Sequence, residues 1–191
     1  MCGRYTIFTD ADERELFEII AAANQKYGDS SFRTGEIFPG DTVPVLTSPS
    51  FREPSLFTWG FPARSGSRPI INARSETAAE KPMFRDAVIS RRCIIPSTGF
   101  YEWDAGKKKY LFTLPGSGML YMAGLYSFYG GAARYVILTA PANESVAEIH
   151  TRMPVVLRRD MLRPWLTDDG AAIEILHTEP PELTRAPAGA G

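Results

Sequence analysis

Residues 92–140 are a succession of short β-prone runs divided by turn residues, and that spacing commits the middle of the chain to antiparallel β structure. The runs fall at 92–95, 99–103, 108–114, 119–126 and 134–140, with Asp104-Ala105-Gly106-Lys107 as a hairpin turn. Upstream strands are expected at 42–47, 55–59 and 69–74, the first two divided by a turn at Pro49-Ser50. The segment Arg64-Ser65-Gly66-Ser67-Arg68 reads as a basic loop. An amphipathic helix is expected from Asp10 to about Asn24, where Leu16, Phe17, Ile19, Ile20 and Ala23 recur near helical spacing behind an acidic first turn. Ser75 is a candidate N-cap of a helix that Pro82 interrupts, and a second short helix runs through Ala87. Asn143 can cap a helix reaching about His150, and residues 159–166 form a late short one. The expected fold is α+β: a single domain with a strongly bent, largely antiparallel β-sheet or barrel-like core and flanking helices. Residues 1–178 make up that domain, and the Pro-, Ala- and Gly-rich stretch 179–191 is expected to be a disordered tail.

A length of 191 residues suits one domain with a sizeable core, and 44% hydrophobic with 23% charged residues is ordinary for a globular chain. The net charge of −1 gives no long-range pull toward nucleic acid or anionic membrane, so a polyanion site must be a local patch. No signal segment and no apolar run long enough to span a membrane is present, which makes a reducing cytoplasm the expected compartment. There a Cys2–Cys93 disulfide is not expected, and Cys93 reads as an inert buried thiol. Cys2, Cys93, His150 and His177 show none of the paired spacings of a zinc site, so no metal and no cofactor are expected.

Six positions carry chemistry worth weighing. If Met1 is removed, Cys2 becomes the N-terminus and holds an α-amine and a thiol on one residue. Both deprotonate partly near neutral pH, so an aldehyde can be captured as an imine and then closed to a thiazolidine ring. The plainer alternative is a position that tolerates a small residue. In Phe100-Tyr101-Glu102-Trp103 both strand faces are aromatic, so Glu102 is either partly desolvated and suited to acid–base work, or at a wet sheet edge. His150 closes a helix and is either a proton-transfer group or a C-terminal capping residue. Pro154 biases Met153 to an extended conformation and places Arg152 in a fixed turn. Asn72 and Arg74 share one side of their strand, where Asn can orient a reacting group and Arg can clamp a phosphate; a turn Asn beside a solvated Arg is the alternative.

The blocks Met1-Cys2-Gly3-Arg4-Tyr5, Ile71-Asn72-Ala73-Arg74-Ser75-Glu76-Thr77, Cys93-Ile94-Ile95-Pro96, Gly99-Phe100-Tyr101-Glu102-Trp103 and Ile149-His150-Thr151-Arg152-Met153-Pro154 resemble, in order and separation, the SOS response-associated peptidase (SRAP) family. The resemblance spans residue 2 to about 157. It implies a sensor of abasic sites in single-stranded DNA that forms a covalent thiazolidine crosslink through Cys2 and shields the lesion, associating with the nucleoid when bound, and expected to be monomeric. Carried over by position, Cys2 is the nucleophile, Asn72 positions the sugar or the Cys2 amine, Glu102 transfers protons, and His150 assists sugar ring opening or reversal. Arg4, Arg74 and Arg152 are then phosphate contacts, Trp59 a stacking or wedge residue, and Pro39 part of the same site. The family name also records a peptidase activity, and Met1 must leave by self-cleavage or through an aminopeptidase before the amine is free. One departure stands out: Phe61 to Ile70 is shorter than the stretch family members usually carry and lacks the further tryptophan often found there. Two other functions fit the same residues. One is a cysteine peptidase or amidase with Cys2 as nucleophile, His150 as base and Asn72 as orienting group; the other is a non-covalent single-strand binding module using the arginines and Trp59.

Overall fold

In the computed structural model, which describes residues 2–8, 13–48, 50, 53–63 and 68–189, short strands build two sheets. The first half of the chain supplies β1 (Tyr5–Ile7), α1 (Arg14–Tyr27), β2 (Gly35–Ile37), β3 (Thr42–Val45), β4 (Ser55–Trp59), β5 (Asn72–Arg74), α2 (Ser75–Ala78) and α3 (Arg85–Ser90). The second half supplies β6 (Arg92–Ser97), β7 (Gly99–Trp103), β8 (Lys109–Thr113), β9 (Leu120–Tyr129), β10 (Ala132–Pro141), α4 (Glu144–Ala147), β11 (Arg152–Pro154), β12 (Val156–Leu157), α5 (Leu162–Thr167), α6 (Asp169–His177) and β13 (Thr184–Pro187).

The larger sheet curls into a nearly closed barrel. β3 pairs with β4, β4 with β10, β10 with β9 and β9 with β6. Leu46, just beyond β3, then exchanges backbone hydrogen bonds of 2.9 and 2.8 Å with Ile94 of β6 and closes the circuit. Pairing is antiparallel except where β4 and β5 run parallel to β10. Tight curvature brings strands close at Gly124, where an added Cβ would stand 2.4 Å from Ile95 Cδ1 and 3.0 Å from the Val136 carbonyl oxygen. The second sheet is five-stranded in the order β13-β8-β7-β1-β2 and antiparallel throughout. Between the sheets lie the large fully buried side chains Tyr5, Trp59, Tyr135, Phe100 and Phe112, the last two stacked at 5.1 Å.

Helices cover the outside. α1 turns Leu16, Ile19 and Ile20 inward, each contributing about 1.5–3 kcal/mol of apolar burial. Its expected start at residues 10–12 lies outside the described residues, as do Pro49 and residues 64–67 of the basic loop. Among the described residues no helix is long and apolar enough to cross a membrane.

Several expectations are corrected. Ser75 is the first residue of α2 and not its cap, a position taken by Arg74 in extended conformation. Asn143 does cap α4, accepting from the Ser145 amide at 3.2 Å, but the helix stops at Ala147, short of His150. Arg152 lies in β11, paired to β10, and not in a turn. Within the stretch expected to be disordered, Thr184–Pro187 form β13, which pairs with the edge of β8 from Thr184↔Thr113 to Pro187↔Tyr110. Composition misleads there because backbone pairing along an open strand edge needs few apolar side chains.

Candidate active site

The register of β1 against β7 determines what surrounds the N-terminal residues. Tyr5 faces Phe100, and the Tyr101 amide donates to the Arg4 carbonyl at 2.9 Å, so the segment before β1 runs alongside Glu102 and Trp103. Cys2 is fully buried at that point, its thiol 3.8 Å from the Arg4 carbonyl oxygen. Asn72, at the head of β5, donates from Nδ2 to the Cys2 carbonyl at 3.0 Å. Its Oδ1 is buried and has no hydrogen-bond partner among the described residues. Glu102 is only 4% exposed, so both faces of its strand are covered. Cys2, Asn72 and Glu102, up to 100 positions apart in sequence (102 − 2), therefore meet at one place.

Burial pushes the Cys2 thiol far above its ordinary range, and the nearby Glu102 charge pushes it further, against a weaker stabilising contact from the Arg4 backbone. Behind Cys2 the phenols of Tyr5 and Tyr135 share a 2.6 Å hydrogen bond, and both are raised chiefly by desolvation. Trp59 is sandwiched here, edge-on to Tyr5 at 5.2 Å and stacked with Tyr135 at 6.3 Å. Its Nε1–H donates to the Ile71 carbonyl at 3.0 Å, bracing the residue before Asn72. Trp59 is 0% exposed, so it has no free face for a base, and the stacking or wedge role expected of it is corrected to one of support.

A pH effect on stability follows from these buried acids. Cys2, Cys93, Tyr5 and Tyr135 are all raised, so the folded chain keeps protons that the unfolded chain releases above about pH 8.5 for thiols and about pH 10 for phenols. Unfolding free energy must fall as pH rises through those values. The melting temperature is expected to decline above about pH 8.5 and more steeply above about pH 10, with Tyr5→Phe flattening the steeper part. A midpoint independent of alkali in a melting series would show that these groups ionise as they do in water.

The cationic residues are held in different ways. Arg4 lays its guanidinium 4.3 Å from the Phe38 ring centroid and 5.1 Å from that of Trp103, and pairs with Glu36 at 3.3 Å. Lys109 also donates to Glu36, at 2.6 Å. Burial raises the Glu36 carboxyl, but the combined pull of Lys109 and Arg4 outweighs it and holds the group below its usual range. Arg74 is exposed at the end of β5. Arg152 is committed to Glu76 through Nη1–Oε1 and a 2.9 Å Nη2–Oε2 bond, and to the Thr139 carbonyl at 2.5 Å. That pairing keeps the Glu76 carboxyl low. The amide of Arg152 donates at 2.9 Å to Nδ1 of half-buried His150, and the same ring nitrogen lies 3.2 Å from the Arg152 carbonyl oxygen, so both backbone groups of Arg152 hold the imidazole in place. His150 thus joins the framework through Arg152 and Glu76 to α2, which directly follows β5. Pro39 is exposed on the turn between β2 and β3. Among the described residues no group of three His, Cys, Asp or Glu is arranged to hold a metal ion.

Sequence reasoning passed over Glu36, Phe38, Lys109 and the Tyr5–Tyr135 pair, whose roles depend on cross-strand contacts. Glu76 lay inside a quoted motif, yet only its link to Arg152 gives it a task.

A family model described as SOS response associated peptidase (SRAP) matches residues 1–186. The chain belongs to the SRAP family. This SRAP chain is 32% identical over 200 residues to the "Abasic site processing protein YoaM" of Bacillus subtilis, covering 93% of this chain and 84% of that protein. It is 34% identical over 188 residues to "Abasic site processing protein YoqW" of the same organism, covering 87% and 80%. Among solved structures, one of a Bordetella bronchiseptica protein superposes with a TM-score of 0.77 at 24% identity, covering 99% of this SRAP chain and 100% of the other. The two share the α+β fold.

Proposed function

We propose that this chain captures abasic sites in single-stranded DNA by bonding its N-terminal Cys2, once Met1 has been removed, to the aldehyde of the opened sugar. The observation that carries the reading is the Asn72–Cys2–Glu102 cluster, with a buried acceptor, Asn72 Oδ1, left over. A buried acceptor without a donor is costly, by about 1–3 kcal/mol, and a free α-amine on Cys2 is a donor of the right kind. Relatives named as abasic site processing proteins support the choice of lesion.

The chemistry balances with the residues at hand. The Cys2 amine attacks the aldehyde carbon, and the carbinolamine loses water as its hydroxyl takes up a proton. The thiol sulfur then adds to the imine carbon while its proton passes, by way of the Glu102 carboxylate, to the nitrogen. The products are a thiazolidine and one water. A thiol held neutral by burial needs a base beside it, and Glu102 is that base. His150, held at Nδ1 by the backbone of Arg152, is the group assigned to proton transfer at the sugar ring oxygen during opening. Exposed Arg74 is the arginine best placed for phosphate, whereas Arg152, tied to Glu76, chiefly positions His150.

Met1-free protein incubated with a single-stranded oligonucleotide bearing one abasic site is expected to give a heat-stable adduct whose mass maps to Cys2. Cys2→Ala and retention of Met1 should each abolish it. An adduct that survives Cys2→Ala would overturn the mechanism, and Cys2-dependent peptide turnover without DNA adduct would replace it with a peptidase.

A further inference from the structure

We infer, resting on the proposed DNA target, that Phe38 is the platform on which an unpaired base beside the lesion stacks. Phe38 opens a tight turn that leads from β2 to β3. Pro39 and Gly40 occupy its centre, Gly40 with φ of +95°, the pattern of a type II turn. The turn is braced from every side: the Phe38 amide donates to Asp41 Oδ2 at 2.8 Å, the Asp41 amide to the Phe38 carbonyl at 3.0 Å, and the Gly40 amide to the Trp59 carbonyl at 2.9 Å. The Trp59 amide returns a 2.9 Å bond to the Asp41 carbonyl. A ring on this turn is therefore held still, and little freedom is lost when a ligand meets it.

A single exposed aromatic on a protein surface needs no explanation by itself. Phe38 differs in what lies behind it. Phe38 is 36% exposed, and the Arg4 guanidinium packs against both its ring and that of Trp103, 4.3 and 5.1 Å from the two centroids. The cation is thus fixed against two rings and anchored by Glu36, with a π-surface and a positive charge presented together. Arg4 is two residues from Cys2, roughly 7 Å along an extended chain, so the platform stands beside the reactive residue. The net charge of −1 supplies no general attraction for DNA, which makes local stacking contacts the more necessary. Stacking accepts any base because every base has a π-face, and so suits a protein whose target position has none to read. With Trp59 enclosed in the core, Phe38 is the more exposed of the two rings that flank Arg4, the other being half-buried Trp103.

The test separates stacking on Phe38 from covalent capture by using non-covalent binding alone. Anisotropy would be recorded with Cys2→Ala protein and single-stranded oligonucleotides carrying a stable tetrahydrofuran abasic analogue, in that background and with Phe38→Ala or Phe38→Trp added. In one oligonucleotide set the neighbouring nucleotides keep their bases; in the other they are base-less as well. Phe38→Ala is expected to weaken binding roughly tenfold on the first set, Phe38→Trp to restore it, and both differences to vanish on the second. Equal affinity of Phe38→Ala and its parent on the first set, or the same loss on both sets, would overturn the inference. Melting temperatures of the variants establish that the fold is intact. Failure of the wild-type chain to form an adduct would instead remove the capture mechanism and leave these binding comparisons standing.

Discussion

Glu102→Gln is expected to slow adduct formation by roughly 100-fold or more, the usual scale of lost general acid–base catalysis, while making the Cys2 thiol easier to alkylate. The two effects run in opposite directions for one reason. In the proposed mechanism the carboxylate takes the thiol proton during ring closure, so its loss removes the base. The same negative charge raises the thiol above its ordinary range, so its loss makes the thiolate less costly. Burial is the larger cause and survives the substitution, which limits the gain in alkylation to a modest one. Gln keeps the shape of a side chain only 4% exposed, so the strand is retained. Adduct time courses on abasic DNA, set beside iodoacetamide labelling of the same protein, read both quantities. Parallel loss of both would mean a distorted site, and unchanged adduct formation would take proton transfer away from Glu102.

Trp59→Ala is expected to cost about 3–5 kcal/mol, as for other large aromatic truncations in cores, and to lower the melting temperature by roughly 10 °C or more. The indole fills the space between Tyr5 and Tyr135 and holds the Ile71 carbonyl, so a cavity opens directly behind Asn72. Trp59→Phe keeps most of the packing and forfeits the 3.0 Å hydrogen bond, a loss of about 1–3 kcal/mol if the carbonyl stays dry. Denaturant melts of the two variants separate packing from the hydrogen bond. Non-covalent DNA binding should be nearly unaffected in Trp59→Phe. A loss of binding there as large as for Phe38→Ala, with the fold intact, would return Trp59 to the DNA surface.

Strands with strong local signals are legible from sequence: 55–59 and 99–103 coincide with β4 and β7, and Asp104–Lys107 forms the turn read from Asp-Ala-Gly-Lys. For Glu102 the sequence leaves two readings, desolvated or at a wet sheet edge, and its 4% exposure decides for the first. What escapes is set by pairings between distant segments. Closure of the barrel depends on Leu46 meeting Ile94, and nothing near either residue announces the other. Trp59 precedes a glycine in a strand, a setting equally compatible with an open or an enclosed ring; Tyr5 and Tyr135, 130 positions apart, decide it. Arg152 reads as a free clamp until Glu76, 76 positions away, is seen to occupy it. Helix α6 follows an Asp168 cap that accepts from the Ala171 amide at 2.9 Å, but its nine residues are too short to stand out by periodicity.

The sheet that houses Cys2 has a consequence for how the protein comes into being. Its strands β1 and β13 span residues 5 to 187, with β7 and β8 between them in space. On the ribosome, β1 emerges early and waits for β7, nearly a hundred residues later (100 − 5), before Tyr5 finds Phe100 and Glu102 comes alongside Cys2. The edge of β8 stays open longer still, until β13 is made. The segment that carries Cys2 is thus made well before the strands that enclose it and is among the last to gain its surroundings, and such long-range pairing is slow to form.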